Sequence, residues 1–336
     1  MKSIAILVVS LGIILLAAEL FVNGVEWLGK KLNLSEGAVG SVLAAVGTAL
    51  PETIIPIIAI VFSGQGSEGH DIGIGAILGA PLMLSTLAMF VTGLAVIIFR
   101  RRRMHGMKVI ADYSTMSRDL LFFMIIFTVA ILTGMIPPGH RTLQLGIAVI
   151  MVISYIIYVH TMLREERDIE SDSEMPPCYF DRRQAALPRI ALQIIAALLL
   201  IIFGANLFVE SVKVVAMTYG VPAFVLALII TPIATELPEK FNSVIWISRE
   251  KDTLALGNIT GAMVFQSSLI PALGIFLTDW QLTAGALASA LLALLSTSLM
   301  FVQLRMHKHI SAPILMAGGL FYALFLIAVF KGVISY

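Results

Sequence analysis

Two five-residue stretches decide how this chain is read: Thr48-Ala49-Leu50-Pro51-Glu52 and Thr235-Glu236-Leu237-Pro238-Glu239. Each sets a proline and a carboxylate inside an apolar run, and 187 positions separate them. Leu20-Phe21-Val22 recurs as Leu207-Phe208-Val209 at the same separation, so no gap is needed between the two matches. Gly75-Ala76-Ile77-Leu78-Gly79-Ala80 returns as Gly257-Asn258-Ile259-Thr260-Gly261-Ala262, 182 positions on, after a shorter loop. Three blocks in one order mark an internal duplication, which governs architecture before any finer feature does.

The runs around these blocks have the composition of membrane spans. The chain has 336 residues, 59% hydrophobic and 13% charged, with a mean hydropathy of +0.97; soluble domains carry about 25% charged residues. Ten apolar segments long enough to cross hydrocarbon are predicted at 4–22, 38–62, 72–99, 119–136, 142–160, 189–210, 221–247, 254–277, 282–304 and 311–334. The first resembles a signal peptide in length. Its leading region holds only Lys2 and the run is matched deep in the chain, so it is expected to be retained. Alternating the ten spans puts 17 Lys and Arg on one side and 4 on the other (Lys2, Arg141, Lys213, Lys331), with Lys240 inside a span. The positive side is expected to be cytoplasmic and both termini to face outward in the cell membrane.

Five spans per copy is an odd number, so the second copy inserts upside down. The predicted fold is an all-α membrane protein of ten transmembrane helices in two inverted five-helix repeats, 1–160 and 189–336, joined by a cytoplasmic linker over 161–188. Inverted repeats of this kind place substrate sites near the midplane, where the copies meet.

Glu52, Glu236 and Glu239 fall inside spans. Each charge there costs about 2.5–3.5 kcal/mol on insertion scales and points to function unless it serves as a hydrogen-bonded structural group. Pro51 has no N–H for the carbonyl of Gly47, and Pro238 has none for Ala234. A cation can satisfy such carbonyls in hydrocarbon, whereas prolines that only bend packed helices leave the same trace in sequence. Each copy thus offers a carboxylate, a hydroxyl (Thr48, Thr235) and a carbonyl, an all-oxygen set suited to Na⁺, Ca²⁺ or Mg²⁺.

Lys240 follows Glu236 by four residues, the spacing of a same-face ion pair. The preferred reading is that ion pair, which makes Glu236 structural and leaves Glu52 and Glu239 for the substrate; the alternatives are a side chain extended toward the cytoplasmic side or a tethered ammonium in place of a transported cation. Gly75 and Gly79, with Gly257 and Gly261, have the spacing that lets helix backbones approach, and are expected to press the third and eighth spans against the acidic pair. Glu19 aligns with Asn206, and both are expected to support helix packing. The run Arg100–Arg103 reads as a topology anchor.

Other functions find little support. A net charge of +1 offers no surplus for nucleic acid, and one cysteine, Cys178, excludes internal disulfides and cysteine zinc sites. The acidic run Glu165–Glu174 lacks the glycine and spacing of an EF-hand and reads as a solvated linker. No His-Glu-x-x-His stretch, intramembrane Asp pair or serine–histidine pair suggests an enzyme. No cofactor and no obligate protein partner are expected; the partners expected are membrane lipid and inorganic cations.

These motifs resemble the sodium/calcium exchanger family of cation/calcium antiporters. That family carries Gly-Thr-Ser-x-Pro-Glu in one repeat and a near-copy in the other, each followed by Gly-Asn-x-x-Gly-Ser-Asn-x-x-Asn or its Asp variant. Gly47–Glu52 and Ala234–Glu239 match the first element, and Gly257–Ala262 the second. The resemblance implies alternating-access antiport with Glu52 and Glu239 as the paired cation carboxylates, completed by Thr48, Thr235 and the carbonyls of Gly47 and Ala234. Glu236 and Gln266 stand at further family ligand positions. The motif serines are replaced by Ala49 and Glu236, and by Ala80 and Ala262; the later polar positions become Leu84 and Gln266, and Pro81 interrupts the first copy. With several family sodium ligands absent, protons are an expected alternative to Na⁺ as counter-ion.

Overall fold

The computed structural model describes residues 2–31, 50–62, 67–137, 139–165, 177–180 and 186–331. Gly47 and Thr48 lie outside them, as does most of the predicted linker.

Ten helices carry the described chain. α1 is Lys2–Lys31 and α2 is Leu50–Phe62. α3 runs Ser67–Met83, widens into one π turn over Leu84–Ala88 and continues as Met89–Phe99. α4 is Tyr113–Thr133, α5 Arg141–Glu165, α6 Leu187–Tyr219 and α7 Ala223–Ser248. α8 is Asp252–Leu277, α9 Ala284–His307 and α10 Ala312–Phe330. Eight of these are long and apolar enough to cross a membrane. The two that fall short are the acidic-motif helices: α2 is described only from Leu50, and α7 has Glu236, Glu239 and Lys240 in its length.

Packing follows the duplication. α1 lies along α6, and α3 lies along α7. α8 packs on α4 and α5 of the first half, while α3 packs on α9 and α10 of the second. The halves therefore exchange partners in a two-fold pattern. At the centre, every pair among α2, α3, α7 and α8 is in contact.

The α3–α7 contact shows what two glycines do. A Cβ at Gly75 would lie 2.4 Å from the Phe224 carbonyl oxygen, and one at Gly79 only 2.2 Å from that of Leu228. Pro232 has no N–H for the Leu228 carbonyl; Gly79 accepts that oxygen against its backbone, the close approach that small residues permit between membrane helices. The repeat-related glycines differ: among the described residues nothing lies within 4 Å of a Cβ at Gly257 or Gly261. The positions 187 before Phe224 and Leu228 are Gly37 and Ser41, outside the described set.

Loop contacts agree with the alternation read from sequence. On one face, β1 (Lys108–Val109) pairs antiparallel with β2 (Ile310–Ser311), so the loops before α4 and α10 share a side. Arg103 and Asp252 join the loop before α4 to the start of α8 on that side. On the other face, Arg141 donates to the carbonyls of Ile275 (2.6 Å) and Phe276 (3.2 Å), and Trp280 Nε1 donates to the Ala130 carbonyl (2.9 Å).

One local expectation is corrected. Arg103 is not simply a surface anchor: it is buried, its guanidinium 2.7 Å from Asp252. Glu19 accepts from Tyr179 Oη of the linker, and Asn206 donates to the Ile202 carbonyl of its own helix. The acidic run Glu165–Glu174 lies outside the described residues after Glu165, while the described linker segment 177–180 docks on the bundle. Cys178 is buried against Ile190, and Tyr179 and Phe180 donate their N–H groups to Asn23 and Gln193.

Candidate cation-binding site

Two of the predicted acids lie on helices of the central four, which are in mutual contact. Glu52 lies in the first described turn of α2 and is buried, 5% exposed. Glu236 lies midway along α7 and is 4% exposed. Gln266, midway along α8, donates through Nε2 to Glu236 Oε1 at 3.2 Å. This bond ties the second repeat's acidic helix to its neighbour and gives Glu236 an amide partner. The side chains of Ala234 and of residues 237–242, hence Glu239 and Lys240, lie outside the described set, so the Glu236–Lys240 pairing does too. The backbone of α7 stays helical through Pro232 and Pro238.

Thr235 is buried and donates to the Thr231 carbonyl at 3.0 Å, which leaves its oxygen lone pairs able to face a ligand. Thr231, one turn earlier on the same face of α7, went unnoticed in sequence. Its hydroxyl and Gln266 Oε1 are buried with no hydrogen-bond partner among the described residues. Orphan oxygens in hydrocarbon are costly, and a cation is one means of satisfying them. The signal for Thr231 was present: it is a hydroxyl residue four positions before Thr235.

In the first repeat the matching helix is built differently. Leu84, at the position of Gln266, opens the π turn, and π turns recur at functional sites. Ser85 donates to the Pro81 carbonyl (2.7 Å), Thr86 donates to that of Leu82, and Ser296 of α9 donates to the Ser85 carbonyl (2.6 Å). The hydroxyls near Leu84 are thus spent on backbone. The side-chain amide that Gln266 carries in one copy is replaced by the apolar Leu84 in the other.

On the face that holds the α8–α9 loop, a cavity of about 440 Å³ is walled by Asp71, Gly220, Phe224 and Thr283. It opens at the α6–α7 turn, beside the end of α7 that leads to the site.

Interlocked half-bundles with buried carboxylates on the facing helices define an inverted-repeat membrane transporter. The family model for sodium/calcium exchanger protein matches residues 2–164 and 189–331, and the chain belongs to that family. It is therefore a transporter and not an enzyme. It is 25% identical over 335 residues to CaxA of Alkalimonas amylolytica, covering 95% of this chain and 97% of that one. Among solved structures it is similar to the H⁺/Ca²⁺ exchanger CAX, with a TM-score of 0.73 at 16% identity, covering 98% of this chain and 82% of that one. It is also similar to the sodium–calcium exchanger NCX_Mj, with a TM-score of 0.57 at 21% identity and 97% of both chains covered. Those likenesses confirm the exchanger fold.

Proposed function

We propose that the chain is a secondary cation antiporter that moves calcium or another divalent cation against protons by alternating access. Glu52 and Glu239 hold the divalent ion between the repeats. Thr48, Thr235 and the carbonyls of Gly47 and Ala234 complete the oxygen set, with Glu236 and Gln266 beside them. The supporting observation is Glu52 and the Glu236–Gln266 pair, buried on mutually packed helices. Family membership points to the same chemistry.

Protons are favoured over Na⁺ because the positions that would add sodium ligands hold Ala49, Ala80, Ala262 and Leu84. The nearby hydroxyls of Ser85 and Thr86 already donate to α3 carbonyls. Protonation of the two acids releases the divalent ion and restores neutrality for the return step, which fewer ligands suffice to do. Residues 1–160 and 189–336 are the two repeats, and 161–188 the linker on the cytoplasmic side. The face carrying Arg103, β1 and β2 looks inward, and both termini look outward from the cell membrane.

Purified protein in vesicles tests this reading. Calcium, magnesium and manganese flux should be driven by an imposed proton gradient and be indifferent to a sodium gradient. Strict sodium dependence would overturn the proton assignment, and no flux of any cation under either gradient would overturn the antiporter reading.

A further inference from the structure

Another buried carboxylate lies on α4, outside the acidic motifs. Asp119 of α4 is 1% exposed. Its Oδ1 accepts from Tyr158 Oη of α5 at 2.7 Å, and its Oδ2 accepts from Thr260 Oγ1 of α8 at 2.7 Å. The Arg118 guanidinium lies 3.8 Å from Oδ1 and over the Tyr158 ring. One side chain thus ties three helices, and a membrane-embedded ionisable group of this kind calls for a functional account.

Thr260 belongs to the glycine motif of α8, six residues before Gln266. Six residues raise a helix by about 9 Å and turn it by about 240°. Thr260 therefore faces α4 and α5 while Gln266 faces α7. Asp252 fixes the start of α8 through Arg103 and the Ile110 N–H, and Arg141 holds its far end by carbonyls. Between them Ser243 of α7 donates to the Ala255 carbonyl, and Asp119 ties α8 at Thr260, closer along the helix to Gln266. The repeat-related position in α3 is Leu78, so this tie exists in one copy only.

We propose that Asp119 is a positioning residue for cation binding: by holding Thr260, it sets the height and rotation at which α8 presents Gln266 to Glu236. It touches no substrate. The inference rests on the cation-site reading given above. Losing a hydrogen-bond partner behind a metal ligand typically lowers metal affinity about 10–100-fold, and the loss here is expected at the low end because Gln266 is one ligand among several.

The test uses the full-length protein, with calcium-induced thermal stabilisation in detergent and calcium flux in vesicles measured side by side. Asp119→Ala should raise the calcium concentration for half effect about tenfold in both, with maximal flux per molecule within about twofold of wild type. Asp119→Asn, whose amide oxygen can still accept from Thr260, should restore most of the affinity. Thr260→Val should reproduce the loss and add nothing to Asp119→Ala, and it provides the reading if Asp119→Ala fails to fold. A wild-type calcium response that Asp119→Ala and Thr260→Val both leave unchanged overturns this inference alone, as does additive loss in the double variant. A wild-type chain indifferent to calcium, magnesium and manganese overturns the cation-site reading and this inference with it.

Discussion

Replacing Asp252 by alanine should unfold the protein several degrees earlier, for a reason visible in one cluster. Arg103 and Asp252 meet at 2.7 Å with side chains 1% and 5% exposed. Arg103 also donates to the carbonyls of Ile247 (2.7 Å), Lys108 (3.2 Å) and Gly106 (3.4 Å), and Asp252 Oδ2 accepts from the Ile110 N–H (2.8 Å). Removing the carboxylate leaves a guanidinium buried among carbonyls with its counter-charge gone, which costs about 3–5 kcal/mol. A chain of 336 residues has an unfolding entropy of about 0.7 kcal/mol per kelvin by soluble-protein averages, so Asp252→Ala should lower Tm by about 4–7 °C. The assay is thermal unfolding in detergent, followed by intrinsic fluorescence. Exchanging both partners for apolar residues (Arg103→Met with Asp252→Leu) removes both charges and should recover part of the loss. It cannot recover all of it, because the Ile247 and Lys108 carbonyls lose their donor. A Tm within about 1 °C of wild type for Asp252→Ala would refute the reasoning.

Other consequences follow from single contacts. Gly79→Ala would drive a Cβ to 2.2 Å from the Leu228 carbonyl oxygen. Backbone cannot swing aside as a side chain does, so α3 and α7 must part at a cost of about 1–3 kcal/mol; thermal unfolding should show the loss and calcium flux should fall with it. Gly12→Ala, with nothing described within 4 Å, is the control and should be neutral. Asp112 caps α4 by accepting from the Thr115 N–H at 2.7 Å, and that bond is the main cause holding its carboxyl below the usual value of 3.8. Its contribution is therefore present above the unfolded-state value and lost as pH falls through the lowered one. Asp112→Ala should cost about 0.5–2 kcal/mol at neutral pH, and the gap from wild type should close in melts taken at progressively more acid pH below 4.

Sequence revealed much of this architecture because the bilayer punishes ambiguity. Uninterrupted apolar runs mark the spans, and the Lys and Arg imbalance sorts the loops onto faces that the β1–β2 pair and the Arg141 and Trp280 bonds then agree with. Glu52 and Glu236 stood out because carboxylates are rare in such runs. What stayed hidden depends on distant partners. Asp119 looked like the polar edge of a span because Arg118 precedes it, and its partner Thr260 is 141 residues away. Arg103 shares a run with three other arginines, and nothing local separates the buried one from its neighbours. The π turn at Leu84–Ala88 has no compositional signature beyond Pro81, three residues before it. Thr231 was legible in principle, since Thr235 spends its proton on the Thr231 carbonyl only because the two share a helix face.

The central claim is that one acid from each repeat grips the same ion. Calcium flux into vesicles, measured for wild type, Glu52→Gln and Glu239→Gln at matched incorporation and helicity, tests it most directly. Each substitution alone should abolish flux, because neither half holds a divalent ion without the other. Substantial flux surviving in either variant would contradict the account.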